Sequence, residues 1–249
     1  MIQDSYDPAR EAVLEPSHAA APLPGFPETA VLTFQPSLAA WAAGQPGAET
    51  LCRIPVFFQI PVLRLPWKGR DLALYQTLMG GAVSVAMAEE VIARGARRLV
   101  LFGSCGALAG DLPPGGLIVP TQACRDEGTS YHYLPPADYV DLPAAPRVCR
   151  VLEDLGLPHR AGRVWTTDAL YRETRRNVDR RRGEGCLGVD MECASLAALC
   201  AARGAELLAF LYTEDSLGGE SWDPGLLGKL PQDAKEAYLR IALEVALRA

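Results

Sequence analysis

A strand, an amphipathic helix and a second strand follow one another between residues 71 and 108, and this pattern restricts the fold more than any other. The three segments read DLALYQTLMGG, AVSVAMAEEVIARG and ARRLVLFGSCGAL. A strand–helix–strand unit normally makes parallel strands, whose ligands gather beyond their carboxyl ends. Two glycine turns, at residues 80–81 and 103–106, lie at that end. The pattern predicts an α/β fold with a mixed, largely parallel twisted sheet flanked by helices.

The same order of elements returns near the C-terminus. A helix is predicted over residues 190–203, and the apolar strand ELLAFLY then leads from residue 206 into TEDSLGG. Further helices are predicted around residues 145–155 and over the last segment, DAKEAYLRIALEVALRA. AVLTF and IPVFFQIPVLRLPW read as strands whose prolines suit edge positions or strand ends. We expect one domain over residues 31–249, preceded by a Pro/Ala-rich leader over residues 1–30.

Composition excludes several classes of partner. The 249 residues carry a formal charge of −6 without a basic stripe, so neither a nucleic-acid polymer nor an anionic membrane is an expected partner. No apolar run reaches the ~18 residues of a membrane span, and the acidic N-terminus lacks the pattern of a secretory signal, so we expect a cytoplasmic protein. Seven cysteines without a CxxC pair indicate neither a disulfide framework nor a zinc site. A small molecule is the class of ligand left.

One carboxylate, Glu192, stands at the start of an otherwise apolar helix in GVDMECASLAALCAARG. The N–H groups of a helix N-terminus favour negative charge, so we expect Glu192 to stay ionised even when buried, with Asp190 as the N-cap. A partly desolvated carboxylate can accept both hydroxyls of a vicinal diol such as that of ribose. A capping acid, or an internal ion pair with an arginine, explains the same residue.

Two further motifs follow predicted strands. The GSCG turn at residues 103–106 can hold an anion with its backbone N–H groups and the Ser104 hydroxyl, although a tight turn that needs glycine for positive φ explains the same residues. TEDSLGG supplies an acid, Glu214 or Asp215, at the lip of the same cleft. A half-buried acid there has a raised pKa and can protonate a leaving group, whereas a solvated loop acid has no such role. We read Cys105 as a small interior residue rather than a nucleophile.

Five blocks of the sequence carry a family resemblance. They are LFGSCGAL…GDLPPGGLIVP, RDEGTSYHYLPP, TTDALYRET, GVDMECASLAALC and TEDSL. In order and spacing they resemble the nucleoside phosphorylase family, which includes hexameric purine nucleoside phosphorylase, uridine phosphorylase and methylthioadenosine/adenosylhomocysteine nucleosidase. Five ordered blocks are much more specific than any one of them. The resemblance implies that family's α/β fold and cleavage of the N-glycosidic bond of a nucleoside.

The resemblance also implies a role for each residue that matches a family motif. Met191 packs on the ribose, Glu192 binds the ribose hydroxyls, and Asp215 protonates N7 of a purine as the glycosidic bond breaks. The phosphate loop is implied at Gly103, Ser104 and Gly106. The base pocket is implied at Thr167, Asp168, Leu170 and Tyr171, with Trp165 as a stacking face nearby.

The reaction that the resemblance implies is phosphorolysis. The base leaves ahead of an oxocarbenium-like ribosyl cation, and phosphate attacks C1′ from the other face. Such a reaction needs no metal or organic cofactor, because inorganic phosphate is the co-substrate. The implied partners are a nucleoside, phosphate and further copies of the chain, in a dimer or a hexamer.

Two arginines of the family pattern are not matched. Phosphorylases of the family carry a GDPxR loop near the N-terminus, where this chain reads LTFQPSLAA, and an arginine at the position of Leu101. Loss of two guanidinium groups is costly for binding a dianion, so either other arginines, with Arg64 and Arg125 as candidates, take their place or water is the nucleophile. We place phosphorolysis ahead of hydrolysis because the sequence shows no hydrolytic base.

Two other readings stay open. Asp215 favours a purine, whereas the D-x-G-x-S-x-H spacing in RDEGTSYHYLPP resembles the uridine-type phosphorylases. An inert nucleoside-binding protein on the same fold explains the missing arginines as lost chemistry.

Overall fold

Strand β5 (Arg98–Ala107) organises the fold because it pairs with three other strands. The computed structural model describes residues 1–9, 11–55 and 59–249, and its strands form one ten-stranded sheet. The other strands are β1 (Thr29–Thr33), β2 (Glu49–Ile54), β3 (Ile60–Trp67), β4 (Arg70–Gln76), β6 (Leu117–Asp126), β7 (Tyr139–Asp141), β8 (His159–Thr167), β9 (Cys186–Asp190) and β10 (Glu206–Ser216).

Helices flank this sheet, as predicted. The α-helices are α1 (Pro16–Ala19), α2 (Pro36–Ala43), α3 (Gly81–Arg94), α4 (Ala145–Asp154), α5 (Arg175–Gly183), α6 (Cys193–Arg203) and α7 (Gln232–Arg248). Three short 3-10 helices cover Ile2–Asp4, Thr129–His132 and Leu170–Arg172. Residues of α3 and α6 belong to one apolar cluster, whereas residues of α2, α4 and α7 belong to a second cluster. The domain is therefore layered helix, sheet, helix, with apolar residues packed on both faces of the sheet.

The sheet closes on itself at one end. Its strands follow the order β10-β6-β8-β9-β5, and β5 also pairs with β10, so these five strands form a ring. The first residues of β5 pair with β1, and β4, β3 and β2 extend the sheet beyond it. Among the described residues five strand pairings are parallel and five antiparallel. The predicted mixed sheet is confirmed, and its longest pairings, β5 with β10 and β6 with β8, are parallel.

The predicted strand–helix–strand unit is present as β4, α3 and β5. Its two strands are not neighbours, because β1 pairs in parallel with both of them. The carboxyl ends of all three strands therefore lie at one edge of the sheet, where the sequence predicted a ligand site. The helices predicted around residues 145–155 and at the C-terminus are α4 and α7. In the predicted strand region IPVFFQIPVLRLPW, residues 56–58 lie outside the described residues.

Antiparallel pairing enters through a hairpin of two strands that the sequence analysis predicted separately, without their pairing. Lys68 and Gly69 join β3 to β4, and both have positive φ, at 48° and 79°. Two successive residues of positive φ match the right-handed twist of the flanking strands, so they favour a tight hairpin. This turn, with the β2–β3 pairing beside it, makes the outer part of the sheet antiparallel.

The predicted GSCG turn is wrong: residues 103–106 are extended and lie inside β5. Neither Gly103 nor Gly106 has positive φ. Glycine is needed because other side chains pack closely there: a Cβ on Gly103 would lie 3.1 Å from the Phe34 ring, and one on Gly106 would lie 2.6 Å from a Leu217 methyl group. Close packing, and not turn geometry, therefore explains these glycines.

The predicted leader makes contacts with the rest of the chain. The Leu23 N–H donates to the Arg94 carbonyl at 3.0 Å, and Phe26 packs against Gly95 at the end of α3. The predicted boundary at residue 30 stays a prediction. Among the described helices, none combines the length and the apolar character that crossing a membrane requires.

Candidate active site

A cavity of about 380 Å³ lies where β1, β4, β9 and β10 end and along the second half of β5. This volume falls in the usual range for small-molecule sites. Most of its lining is apolar, and its polar groups come from several strands. The predicted residues that line it are Gly103, Ser104, Gly106, Leu170, Met191, Glu192 and Asp215. The fold thus brings together three of the predicted groups, those for phosphate, sugar and leaving base, and one residue of the predicted base pocket.

Glu192 closes one wall of the cavity just before the first residue of α6. One oxygen of its carboxyl accepts a hydrogen bond of 2.6 Å from the Gly80 N–H, at the start of α3. Gly80 has φ of 105°, a value that glycine adopts readily and other residues rarely adopt. In the described part of the chain no arginine or lysine pairs with Glu192, so the alternative of an internal ion pair finds no support.

The expectation that Glu192 stays ionised is wrong. Burial in the cavity wall and the neighbouring negative charge of Asp190 raise the pKa of Glu192 to about 8, although the Gly80 N–H acts in the opposite direction. Desolvation therefore outweighs the helix N-terminus. A carboxyl that is protonated near neutral pH can donate one hydrogen bond and accept another, which still suits a pair of sugar hydroxyls.

The side chain of Asp190 caps α6 from the end of β9, but the helix begins at Cys193 with Glu192 at the N-cap position, and not at residue 190 as predicted. Asp190 Oδ2 accepts hydrogen bonds from the N–H groups of Glu192 at 3.0 Å and Cys193 at 2.7 Å. Its Oδ1 accepts the Thr166 hydroxyl at 2.7 Å, and that hydroxyl in turn accepts the Ala194 N–H. The three N–H groups at the helix start are thus satisfied by two side chains from neighbouring strands. This network fixes the backbone that carries Glu192.

Asp215 also lines the cavity, and a β-bulge explains why it does so. β10 runs beside β5 in register as far as Thr213, which pairs with Cys105, but Asp215 then pairs with Gly106. Glu214 is the extra residue of the bulge, and only Asp215 of the two acids lines the cavity. A bulge redirects side chains in this way. Asp215 Oδ2 also accepts the Trp222 indole N–H at 2.7 Å.

Ser104, on β5, lines the same cavity as these two acids. It is exposed, although its neighbours in the strand are buried. Gly103 and Gly106 flank it at the close contacts described above. A serine hydroxyl on an open strand surface can bind an anion, so the predicted phosphate role of Ser104 stays a prediction that its position allows.

No cation lines the cavity within the described residues. The segment that replaces the family's GDPxR loop contributes Thr33, Phe34 and Gln35, and the second arginine position is Leu101, which is buried in the cavity wall. Nor does any cluster of His, Cys, Asp and Glu in the described parts of the chain fit a metal ion. Any positive charge for a bound anion must therefore come from outside this lining.

The two arginines expected to compensate do not do so. Arg125 is buried and donates to the Ser130 hydroxyl and to the carbonyls of Leu134 and Pro135, so its donors hold the loop that follows β6. Arg64 lies on β3 and pairs with Glu49 and Asp71 at the outer part of the sheet. Both expectations are wrong, because each guanidinium already has structural partners away from the cavity.

Most of the predicted base pocket is also misplaced. Trp165 belongs to the core and donates its indole N–H to Asp126, so it offers no stacking face. Thr167 and Asp168 accept backbone N–H groups of Ala169 and Gly128 and thus shape the turn after β8. Tyr171 is 95% exposed. Leu170 alone of the five lines the cavity.

Sequence reasoning missed several residues of this site. Glu173, within the TTDALYRET block, lines the cavity near Asp215, and Trp222 binds Asp215 from the following loop. Apolar side chains at the mouth, Met79 and Leu227 among them, are exposed. An acid inside a family block was a signal that could have identified Glu173. No sequence signal identified Trp222, because its hydrogen bond to Asp215 depends on the path of the loop that follows β10.

The raised pKa of Glu192 has a measurable consequence for stability. The folded chain holds the proton of the Glu192 carboxyl more tightly than the unfolded chain does. The contribution of Glu192 to stability is therefore complete below pH ~4.5 and is lost as pH rises through about 8. Each pH unit in that window lowers the free energy of unfolding by at most about 1.4 kcal/mol. Denaturant unfolding at several pH values should show that Glu192→Gln lacks this loss.

The control is Glu153→Gln, which changes an exposed acid on α4. Its free energy of unfolding should follow the wild-type pH dependence. Parallel pH curves for the wild type and Glu192→Gln would contradict the raised pKa.

Comparison with known proteins agrees with the resemblance. The family model described as "Phosphorylase superfamily" matches residues 30–246. A guanosine phosphorylase from Halorubrum lacusprofundi is 28% identical over 200 residues, which are 76% of this chain and 79% of the relative. A purine nucleoside phosphorylase of the DeoD type from Myxococcus xanthus is 30% identical over 185 residues, 72% of this chain and 76% of the relative.

Among solved structures, AMP nucleosidase from Bacteroides thetaiotaomicron has a similar fold. The TM-score is 0.69 at 21% sequence identity, over 88% of this chain and 87% of that chain. At this identity the similarity concerns the fold alone, and it confirms the predicted α/β architecture. The family match covers most of the chain and includes all five blocks on which the resemblance was based. The chain therefore belongs to the phosphorylase superfamily.

Proposed function

We propose that this protein is a nucleoside phosphorylase that cleaves the N-glycosidic bond of a purine nucleoside with phosphate. One observation carries the proposal: Glu192 and Asp215, the acids that the resemblance assigns to sugar and base, line one cavity together with Ser104. The three side chains come from the end of β9, from β10 and from β5. A nucleoside bound between the two acids would present its anomeric carbon to the Ser104 wall.

The proposed reaction divides its work among these residues. Glu192 binds the sugar hydroxyls and holds the sugar while positive charge develops on it. Asp215 donates a proton to N7 of the base as the C1′–N9 bond breaks and the bonding electron pair moves to the base. A phosphate oxygen then forms the new bond to C1′, which gives free base and ribose 1-phosphate. No metal or organic cofactor takes part.

The acids of the cavity repel a bound anion less than the same number of ionised carboxylates would, because some of them carry a proton. The pKa of Glu192 is raised to about 8 and that of Glu173 to about 7, so near pH 7 Glu192 is mostly neutral and Glu173 is partly neutral. A neutral carboxyl does not repel phosphate and can donate a hydrogen bond to it or to the sugar. The names of the relatives, guanosine phosphorylase and purine nucleoside phosphorylase, support phosphate as nucleophile and a purine as base.

Hydrolysis is the second candidate, and a specific observation favours it. Within the described lining the cavity has no arginine, lysine or histidine, whereas phosphate dianions are ordinarily bound by such groups. Water as nucleophile needs no cation.

Phosphorolysis is compatible with this lining if a second copy of the chain contributes the cation. The apolar rim of the mouth is a surface that such a copy would cover. We therefore propose a homo-oligomer.

The experiment that tests the function follows base release from a panel of purine and pyrimidine nucleosides, with and without inorganic phosphate. Phosphorolysis predicts release that depends on phosphate and gives a sugar 1-phosphate. Release without phosphate, with free sugar as product, would establish hydrolysis instead. Binding of nucleosides without any release would contradict both reactions and indicate an inert nucleoside-binding protein.

Asp215→Asn tests the proposed proton donor. General acid catalysis contributes about 10²–10⁴-fold, so kcat/KM for an ordinary purine nucleoside should fall by that order. Nucleosides whose base leaves without protonation should lose much less. The matched control is Glu214→Gln, the adjacent acid that does not line the cavity, whose kcat/KM should stay near wild type. Equal losses on both substrate types would remove Asp215 from the role of acid.

A further inference from the structure

Glu173 presents a carboxyl to the cavity that the proposed reaction leaves unused. It follows the 3-10 helix Leu170–Arg172, it is half-buried, and it lines the same cavity as Asp215. In the described part of the chain its carboxyl has neither a hydrogen bond nor an ion pair. A partly desolvated acid without a protein partner is available to a ligand or to a second acid.

The segment that carries Glu173 is held against the loop that follows Asp215. The Arg175 guanidinium donates to the Leu217 carbonyl at 3.1 Å and to the Glu220 carbonyl at 3.3 Å. Leu217 lies two residues after Asp215 and lines the cavity too. Arg175 thus joins the two chain segments that carry the two acids.

The two acids also interact electrostatically. Burial, and after it the negative charge of Asp215, raise the pKa of Glu173 to about 7. Asp215 Oδ2 is occupied by the Trp222 N–H, which leaves Oδ1 for other partners, on the side that faces Gly106. Neighbouring carboxyls that repel each other tend to share one proton, and the raised pKa of Glu173 favours this acid as the one that carries it.

We propose that Glu173 is a proton-relay residue: it holds the proton that reaches the leaving base through Asp215. This inference rests on the proposed function. As the C1′–N9 bond breaks, the bonding electron pair moves to the base, and Asp215 accepts the proton of Glu173 and passes it to N7. The Glu173 carboxylate is reprotonated by solvent after the base leaves. One proton therefore passes from Glu173 to the base in each turnover.

Other charged groups around the cavity must be considered in any pH profile. Arg175 is committed to the two carbonyls described above. The titratable side chains that line the cavity besides Glu173 are Cys105, Asp190, Glu192, Tyr212 and Asp215. Burial raises the pKa of both Cys105 and Tyr212, so these two stay neutral around pH 7. Glu192 titrates about one pH unit above Glu173, and a Glu173 variant is therefore needed to separate the two acids.

The test compares Glu173→Gln with the wild type on a purine nucleoside and on its N7-methylated counterpart. A methylated base carries positive charge before the bond breaks and needs no proton to leave. For the ordinary nucleoside, the relay predicts a loss of at least about tenfold in kcat/KM. It also predicts that the wild-type decrease of kcat/KM around pH 7 is absent from the variant. For the methylated nucleoside, kcat/KM of the variant should stay close to wild type.

Two controls make the result specific. Glu220→Gln changes an exposed acid of the neighbouring loop and should leave kcat/KM unchanged. Because the two acids deliver one proton, the double variant Glu173→Gln/Asp215→Asn should lose no more than Asp215→Asn alone.

Three results would overturn the relay. Equal losses of kcat/KM on both nucleosides would mean that Glu173 binds the base. Unchanged kcat/KM in Glu173→Gln would mean that Glu173 has no role in the reaction. Multiplying losses in the double variant would mean that the two acids act separately. Absence of base release by the wild type from either nucleoside would instead reject the proposed function, so the two failures are distinguishable.

Discussion

The hydrogen bond from the Gly80 N–H to Glu192 joins the two helix starts on which the cavity depends. It needs a backbone with φ of 105° at Gly80. The next residue, Gly81, allows α3 to approach α6, since a Cβ there would lie 2.2 Å from the Ser195 hydroxyl oxygen. The glycine pair therefore has two separate duties: one orients a donor toward the acid, and the other lets the helices approach. Without either, the wall that carries Glu192 would move.

The electrostatics of the cavity follow from this construction. Glu192 and Asp190 lie close together in a buried wall, and the helix start that they serve does not offset the cost of two charges. At the other end Glu173 and Asp215 repeat the arrangement, with only a tryptophan N–H to satisfy one oxygen. Protons, in place of arginines, neutralise much of the acid charge around the described cavity. A site of this kind should be more sensitive to pH than one with fixed cations.

Sequence reasoning identified the elements with strong patterns. Strand β5, helices α4 and α7 and the acids Glu192 and Asp215 were all predictable, because apolar runs, helical periodicity and family blocks mark them. What failed depended on contacts between distant segments. GSCG resembles a turn because glycines are typical of turns. In the structure its glycines leave room for Phe34 and Leu217, and the local sequence gives no sign of these contacts. Trp165 was predicted as a stacking face, but it is buried in the core. The sequence does not show which side chains of β8 are buried.

The central claim is that the sugar lies at Glu192 and the base at Asp215, in one cavity beside Ser104. The most direct test is a crystal structure with a purine C-nucleoside, whose carbon–carbon glycosidic bond is not cleaved. We predict that its sugar hydroxyls lie within hydrogen-bond distance of the Glu192 carboxyl and that N7 of its base faces Asp215. A ligand bound in the reverse orientation, or outside this cavity, would contradict the account.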